Sequence, residues 1–242
     1  METWRVITTW GADPAFNMGL DEALTHSSDA LTTLRFYTWK PDTLSLGYFQ
    51  KLADVPGHAE AKAIVRRITG GGAIHHVDEL TFSISTAADH ALYSGPIADS
   101  YVRIHSGLCS ALAVFGVAAE MRGKRSLASD QNGTGMCFHH STDLDIVWND
   151  RKGVGSAQRR TQGRVLHHGS IKIGTSKLEG DIATLRASTQ TIDVHALAEA
   201  VKASFAAAFG VTLEAGVPDE RERIAARELG KRYVSREFVE KR

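Results

Sequence analysis

Apolar positions first recur at helical spacing after Asp13, where Phe16, Leu20, Ala23 and Leu24 form one face of a helix opening on Pro14. Asp13 can cap that helix, and the proline's missing N–H costs nothing in the first turn. The pattern then shortens. LRFYTW (34–39) and LSLGYF (44–49) are dense in large, β-favouring side chains, and KPDT (40–43) suits a turn between them, which predicts two paired strands. AIVRRI (63–68) reads as a third strand running into Thr69 and Gly70–Gly72, and LTFSIST (80–86) as a fourth. Ile97, Tyr101, Ile104, Leu108, Leu112 and Phe115 return at steps of three or four, which predicts a helix closed by Gly116 with Cys109 inside it. RSLASDQNGTGM (125–136) is rich in turn formers and reads as a surface loop delivering Cys137. DLDIVW (143–148) alternates like a strand, NDRKG (149–153) reads as a turn, and RVLHHGSIKI (164–173) as another strand. Asp193 can cap a helix through Leu197, Val201, Phe205 and Phe209 that Gly210 closes.

Strands early and late around a central helix indicate an α/β (α+β) domain, a mixed sheet flanked by helices. No repeat or linker divides the 242 residues, so the expectation is one domain, 1–242. Its tail, 217–242, carries charges of both signs and reads as a solvated helix with internal ion pairs, free to pack separately.

Charge narrows the function classes. With 28 Lys and Arg against 28 Asp and Glu there is no overall positive field for non-specific nucleic-acid binding, so any anion site is local. Hydrophobic residues at 43% and charged residues at 23% exclude a chain disordered throughout. No stretch approaches the roughly 20 apolar residues of a membrane span. METWRVITTWGADP lacks an apolar signal core and an Arg/Ser-rich transit pattern, so a cytoplasmic protein is expected. Two cysteines allow at most one disulfide, against an extracellular stapled scaffold.

The candidate chemistry gathers in a few segments. In RRITGGGAIHH (66–76), glycines without Cβ let backbone N–H groups approach an anionic or acyl ligand, although a glycine run alone equally fits a tight hairpin. It is neither a Walker loop nor a dinucleotide fingerprint. Lys152 precedes Gly155, Ser156 and Ala157, where an ammonium can stabilise charge on a carbonyl, phosphate or thiolate; a lysine in a turn is otherwise simply solvated. Arg159 and Arg160, adjacent on a strand, point to opposite faces. His75/His76, His139/His140 and His167/His168 are adjacent pairs that, with Cys137, have the donor types for zinc, but without C-x-x-C or H-E-x-x-H spacing a metal ranks below an acyl or nucleotide pocket. His168, beside Gly169, is the histidine best placed for a pocket.

Taken in order, NMGLDEAL (17–24), RFYTWKPDTLSLGYFQ (35–50), RRITGGGAIHH, DELTFSI (78–84), MCF (136–138), RKGVGSAQRR (151–160) and LHHGSI (166–171) resemble the biotin/lipoate protein ligase superfamily. The likeness is to its branch of lipoate-protein ligases and cysteine-dependent octanoyltransferases; biotin ligation fits MCF and GSAQRR less well. The resemblance implies a catalytic domain related to the class II synthetase fold, working on octanoyl or lipoyl groups bound for a lysine of a lipoyl-domain or glycine-cleavage-type carrier protein. It implies that Arg66, Arg67, Gly70, Gly71, Gly72, Ala73 and His76 belong to the substrate-binding loop. Gly155, Ser156, Ala157, Gln158, His168 and Gly169 would line the pocket, Lys152 would be the active-site lysine and Cys137 the nucleophile. A free thiol is only a few per cent thiolate at neutral pH, so a nearby cation such as Lys152 would raise the reactive fraction. Cys109, in its apolar helical face, reads as packing.

The transferase reading takes an octanoyl thioester from an acyl carrier protein through a Cys137 acyl-enzyme and needs no metal or nucleotide. The ligase alternative uses ATP and Mg²⁺ to form an acyl-adenylate, and with 62 residues after Gly180 it would need a separate accessory chain. A third reading is a non-catalytic module that binds lipoyl domains. Three glycines at 70–72 look ligase-like, whereas Cys137-Phe138 and DELTFSI favour transfer. Two positions depart from the family pattern: Val77, where aspartate is frequent, and Gly153, where a branched apolar residue is usual.

Overall fold

The computed structural model describes residues 1–27, 31–40, 42–189 and 192–241. In chain order the elements are β1 (Glu2–Ala12), α1 (Pro14–His26), β2 (Thr33–Trp39), β3 (Thr43–Leu46), β4 (Ala63–Arg66), β5 (Ile74–His76), β6 (Glu79–Ala87), α2 (Ile97–Ala113) and β7 (Glu120–Met121). They continue with β8 (Ile146–Trp148), β9 (Arg151–Thr161), β10 (Arg164–Lys172), α3 (Leu185–Ser188), α4 (Val194–Phe209), β11 (Val211–Gly216), α5 (Glu220–Tyr233) and α6 (Arg236–Val239). An eight-stranded mixed sheet runs β11-β1-β2-β6-β10-β9-β8-β7, and a small sheet runs β4-β3-β5. No helix among the described residues is long and apolar enough to cross a membrane.

Strand alternation sends successive side chains to opposite layers. On β2, Phe36 joins the core formed with α2 and α4 through Leu108, Val201 and Phe205, whereas Tyr37 joins Met18 of α1 and Tyr233 of α5. Helices α2 and α4 therefore cover one face of the large sheet, and α1 and α5 the other. The helix ends follow the sequence: Asp13 accepts from the Ala15 and Phe16 amides, and Asp193 from that of His195. Gly210 closes α4 at φ 64° and Gly116 follows α2 at φ 74°, conformations that favour glycine.

Several expectations need correction. The segments 34–39 and 44–49 do not pair. Strand β2 has its edges taken by β1 and β6, and β3 has its edges taken by β4 and β5 in the other sheet. The second segment stops at Leu46 because the chain turns at Gly47, where a Cβ would lie 1.8 Å from the Gly71 carbonyl oxygen. Of the turn expected at 40–43, Pro41 lies outside the described residues. The segment 143–148 is strand only from Ile146, and the turn at 149–153 is shorter than expected. Asn149 and Asp150, at φ 51° and 54°, make the reversal, and Lys152 and Gly153 already lie in β9. Strand β1 escapes the pattern because only Trp4, Val6 and Ile7 of its eleven residues are buried.

The charged tail is helical, with the expected internal pairs Arg223–Glu220 and Lys231–Glu228. It does not stand apart in solvent. Helix α5 lies against α1 so closely that a Cβ on Gly19 would sit 2.0 Å from the Ala226 carbonyl oxygen, and one on Gly230 2.6 Å from that of Ala15. Arg5–Glu222 at 2.6 Å and Arg232–Glu22 at 2.8 Å tie its two ends down. Gly19→Val should therefore force the helices apart and cost about 3 kcal/mol, read as a lower urea midpoint. Ile224→Ala, on the exposed face of the same helix, should stay within about 0.5 kcal/mol of the parent.

Candidate active site

The loop 125–136 is pinned to the glycine segment rather than hanging free. The Ala73 amide donates to the Gly135 carbonyl at 2.8 Å and the Cys137 amide to the Ala73 carbonyl at 2.7 Å. This leaves no room beside it: a Cβ on Gly72 would lie 2.7 Å from the Cys137 nitrogen. Cys137 then opens a single 3₁₀ turn through His139, with its thiol side against Ile74, Phe138 and Ile182.

Lys152 approaches from β9. It is 2% exposed, and its ammonium donates to the Cys137 and His140 carbonyls at 2.9 and 3.0 Å and to Asp145 Oδ2 at 2.9 Å. Cys137 Sγ lies 3.5 Å from the same nitrogen. Burial alone would push the Lys152 pKa down, but the Cys137 sulfur and the Asp145 carboxylate outweigh it and raise it, so the amine stays charged. Gly155 permits the approach, since a Cβ there would lie 3.1 Å from both Cys137 Sγ and Lys152 Cε. Gly153 is accounted for as well: the Trp148 indole fills the space its side chain would take, 2.0 Å from a Cβ.

Two cavities meet at Gly71, Cys137 and Ser156. The inner one is walled by Met18, Tyr37, Trp39, Ile74 and Ala157, and its lining also includes Arg67, Gly70, His76, Gly155, His168 and Gly169. The outer one is lined by Gly72, Lys152, Asp145, Tyr101, Leu144 and Ile97. Arg67, buried, holds the glycine loop by donating to the Ser45, Gly70 and Gly72 carbonyls. Burial lowers its pKa against the opposing pull of Cys137. His76 stacks on Trp39 at 4.0 Å and is held between Glu79 and Ser45; burial lowers its pKa although Glu79 opposes this. His168 Nε2 bonds Thr69 Oγ1 at 2.6 Å.

Three of the expected pocket residues line neither cavity. Arg66 is fully buried and spends its guanidinium on the Gly47, Gln50 and Phe238 carbonyls, so it fastens the C-terminal segment to the loop after β3. Gln158 turns to Ser100 Oγ at 2.9 Å, and Ala73 is buried beneath the Cys137 turn. Tyr101, read in the sequence only as part of an apolar helical face, and Asp145, not singled out there, both line the outer cavity; an acidic residue just upstream of a lysine-bearing strand was the available signal for Asp145. The 139/140 histidine pair splits apart: His139 Nε2 bonds the Glu179 carbonyl, while His140 meets Lys152 through its backbone carbonyl. Among the described residues no group of three or more His, Cys, Asp or Glu could hold a metal ion.

The mixed sheet with helices on both faces is the fold of solved lipoate-protein ligases. Lipoate-protein ligase A bound with ATP superposes with a TM-score of 0.79 at 21% identity, over 99% of each chain. The model of the lipoyl protein ligase A/B catalytic domain matches residues 13–203, and the chain belongs to that family. Among curated relatives, octanoyltransferase LipM of Moorella thermoacetica is 39% identical, with 82% of this chain and 75% of the relative covered. Octanoyltransferase LipM of Clostridioides difficile is 32% identical over the full length of both.

The two cysteines differ sharply in setting. Cys109 is half-buried against the main core, and burial pushes its thiol up to about 11. Iodoacetamide at pH 7 should therefore alkylate Cys137 at least tenfold faster than Cys109, as measured by peptide mass mapping over time.

Proposed function

We propose that the protein is an octanoyltransferase that carries the acyl group on Cys137. In the first step the Cys137 sulfur bonds to the carbonyl carbon of an octanoyl thioester on an acyl carrier protein, and the carrier's thiolate leaves. In the second, the ε-amine of a lipoyl-domain lysine bonds to the same carbon and the Cys137 sulfur leaves, giving an amide. The observation that carries this reading is the buried ammonium 3.5 Å from a cysteine placed where two cavities meet. The apolar inner cavity suits an octanoyl chain, and the outer one suits the donor arm and then the acceptor lysine.

Lys152 stabilises the thiolate before attack and the oxyanion during it. Gly71 and Gly72, at the junction, give the carbonyl a wall without side chains. The donor thioester is already activated, so neither nucleotide nor metal enters the reaction. The octanoyltransferase names of relatives up to 40% identical support this choice. The ATP-dependent ligase reading rests on the three glycines at 70–72 and on the fold shared with the ATP-bound ligase.

Intact-mass measurement after incubation with octanoyl carrier protein should show one octanoyl adduct, mapped to Cys137. Cys137→Ala should lose both adduct and product, and Lys152→Met should slow transfer about 10²–10³-fold. Lipoyl-domain modification by Cys137→Ala from free acid and ATP would instead establish the ligase. Binding of lipoyl domains with neither activity would establish the non-catalytic module.

A further inference from the structure

Transfer to a lysine has a proton requirement that the cysteine–lysine pair does not meet. An acceptor ε-amine attacks only when neutral and must shed a further proton as the C–N bond forms. Lys152 cannot take it, being already protonated and engaged with Asp145, the Cys137 carbonyl and the His140 carbonyl.

A second group at the cavity junction has the required arrangement. His105 of α2 and His167 of β10 are both fully buried, and both place Nε2 on Ser156 Oγ, at 2.7 and 3.0 Å. The proton positions follow from the partners. The Leu144 carbonyl, 2.5 Å from His105 Nδ1, can only accept, so Nδ1 carries the hydrogen. Burial keeps the ring neutral, with Nε2 bare to receive the Ser156 hydroxyl proton. That hydroxyl has no second proton, so His167 Nε2–H must donate to it, leaving His167 Nδ1 bare; this atom is buried and has no protein partner among the described residues. One lone pair of Ser156 Oγ remains. Ser156 lines both cavities beside Cys137, and so offers a bound nucleophile an acceptor.

We propose that Ser156 and His105 form a proton relay for the second half-reaction, deprotonating the lysine that resolves the acyl-enzyme. As the C–N bond forms and the C–S bond breaks, the nitrogen's proton passes to Ser156 Oγ and the serine's own proton to His105 Nε2. The imidazolium then releases it by way of Ser156 to solvent in the outer cavity, which restores the starting tautomers and leaves Cys137 as the departed thiolate beside Lys152. His167 acts as a positioning residue, fixing the serine rotamer. The groups facing His105 are Asp145, which favours the imidazolium, Lys152, which opposes it, and the Tyr101 and His167 rings 5.6 and 6.4 Å away.

This inference rests on the Cys137 acyl-enzyme, so the test separates the two half-reactions. Wild type, Ser156→Ala, Ser156→Thr, His105→Leu and His105→Gln are charged with octanoyl carrier protein, and the Cys137 adduct is followed by mass. The adduct is then discharged in single turnovers by a lipoyl domain or by hydroxylamine, whose weakly basic nitrogen loses its proton to water once the C–N bond forms. The relay requires discharge by the lipoyl domain to fall much further than adduct formation in Ser156→Ala, His105→Leu and His105→Gln. Discharge by the lipoyl domain should fall about 100-fold in Ser156→Ala, His105→Leu and His105→Gln, with the rise of rate with pH displaced to higher pH. Ser156→Thr, which keeps the hydroxyl, should recover most of the discharge lost in Ser156→Ala, and discharge by hydroxylamine should change far less than discharge by the lipoyl domain in every variant. Equal slowing with both nucleophiles, or adduct formation slowed as much as discharge, would overturn the relay and make the network a support for Cys137. Absence of an adduct in the wild type would overturn the covalent reading and the relay with it.

Discussion

A lysine ammonium taken out of water has to be compensated on every side, and the site is organised around that requirement. Losing hydration costs a buried cation several kcal/mol, recovered only by close charged and polar partners. Around Lys152 these come from separate pieces of chain: the Asp145 carboxylate, two carbonyls of the Cys137 turn, and the Cys137 sulfur. Because the ammonium gathers these groups, it fixes the position of the sulfur. Removing Asp145 alone would leave a charge unpaired, a defect of about 3–5 kcal/mol, so the geometry of the Cys137–Lys152 contact is tied to stability.

The rest of the fold supplies walls for that contact. The small sheet brings the glycine segment under the Cys137 turn, and Arg67 holds it by three backbone carbonyls. The large sheet contributes β9 and β10, whose Gly155 and Gly169 leave room where side chains would collide: a Cβ on Gly169 would lie 2.6 Å from Phe82. Arg66 and helix α5 work at a distance. By fastening the C-terminal segment and packing on α1, they hold Met18 and Tyr37 in the wall of the inner cavity.

Much of this was legible in the chain. Helical spacing located α1, α2 and α4, and their caps and closing glycines set the ends, because these signals act within a turn or two of sequence. The blocks carrying Cys137 and Lys152 stood out in the sequence, and the fold brings their two side chains to 3.5 Å. Pairing partners were less accessible. Nothing local tells β2 that its neighbours are β1 and β6 rather than β3, since the choice depends on hydrogen bonds to residues distant in sequence. The charged tail misled for a related reason: its composition describes its exposed face, and the close approach of Gly19 to Ala226 is visible only once α1 and α5 are set side by side.

The sequence by itself determined the principal helices, several of the buried strands, the family resemblance and which residue types were available for acyl chemistry. Tertiary structure decided what each does. It placed Lys152 in a buried strand instead of a solvated turn, withdrew Arg66 and Gln158 from the cavity walls, matched Gly153 to Trp148, and assembled Ser156 with His105 and His167. The physical reason is range. Capping and periodicity act between near neighbours, whereas burial, charge compensation and hydrogen-bond direction depend on every group within a few ångströms, whatever its place in the chain.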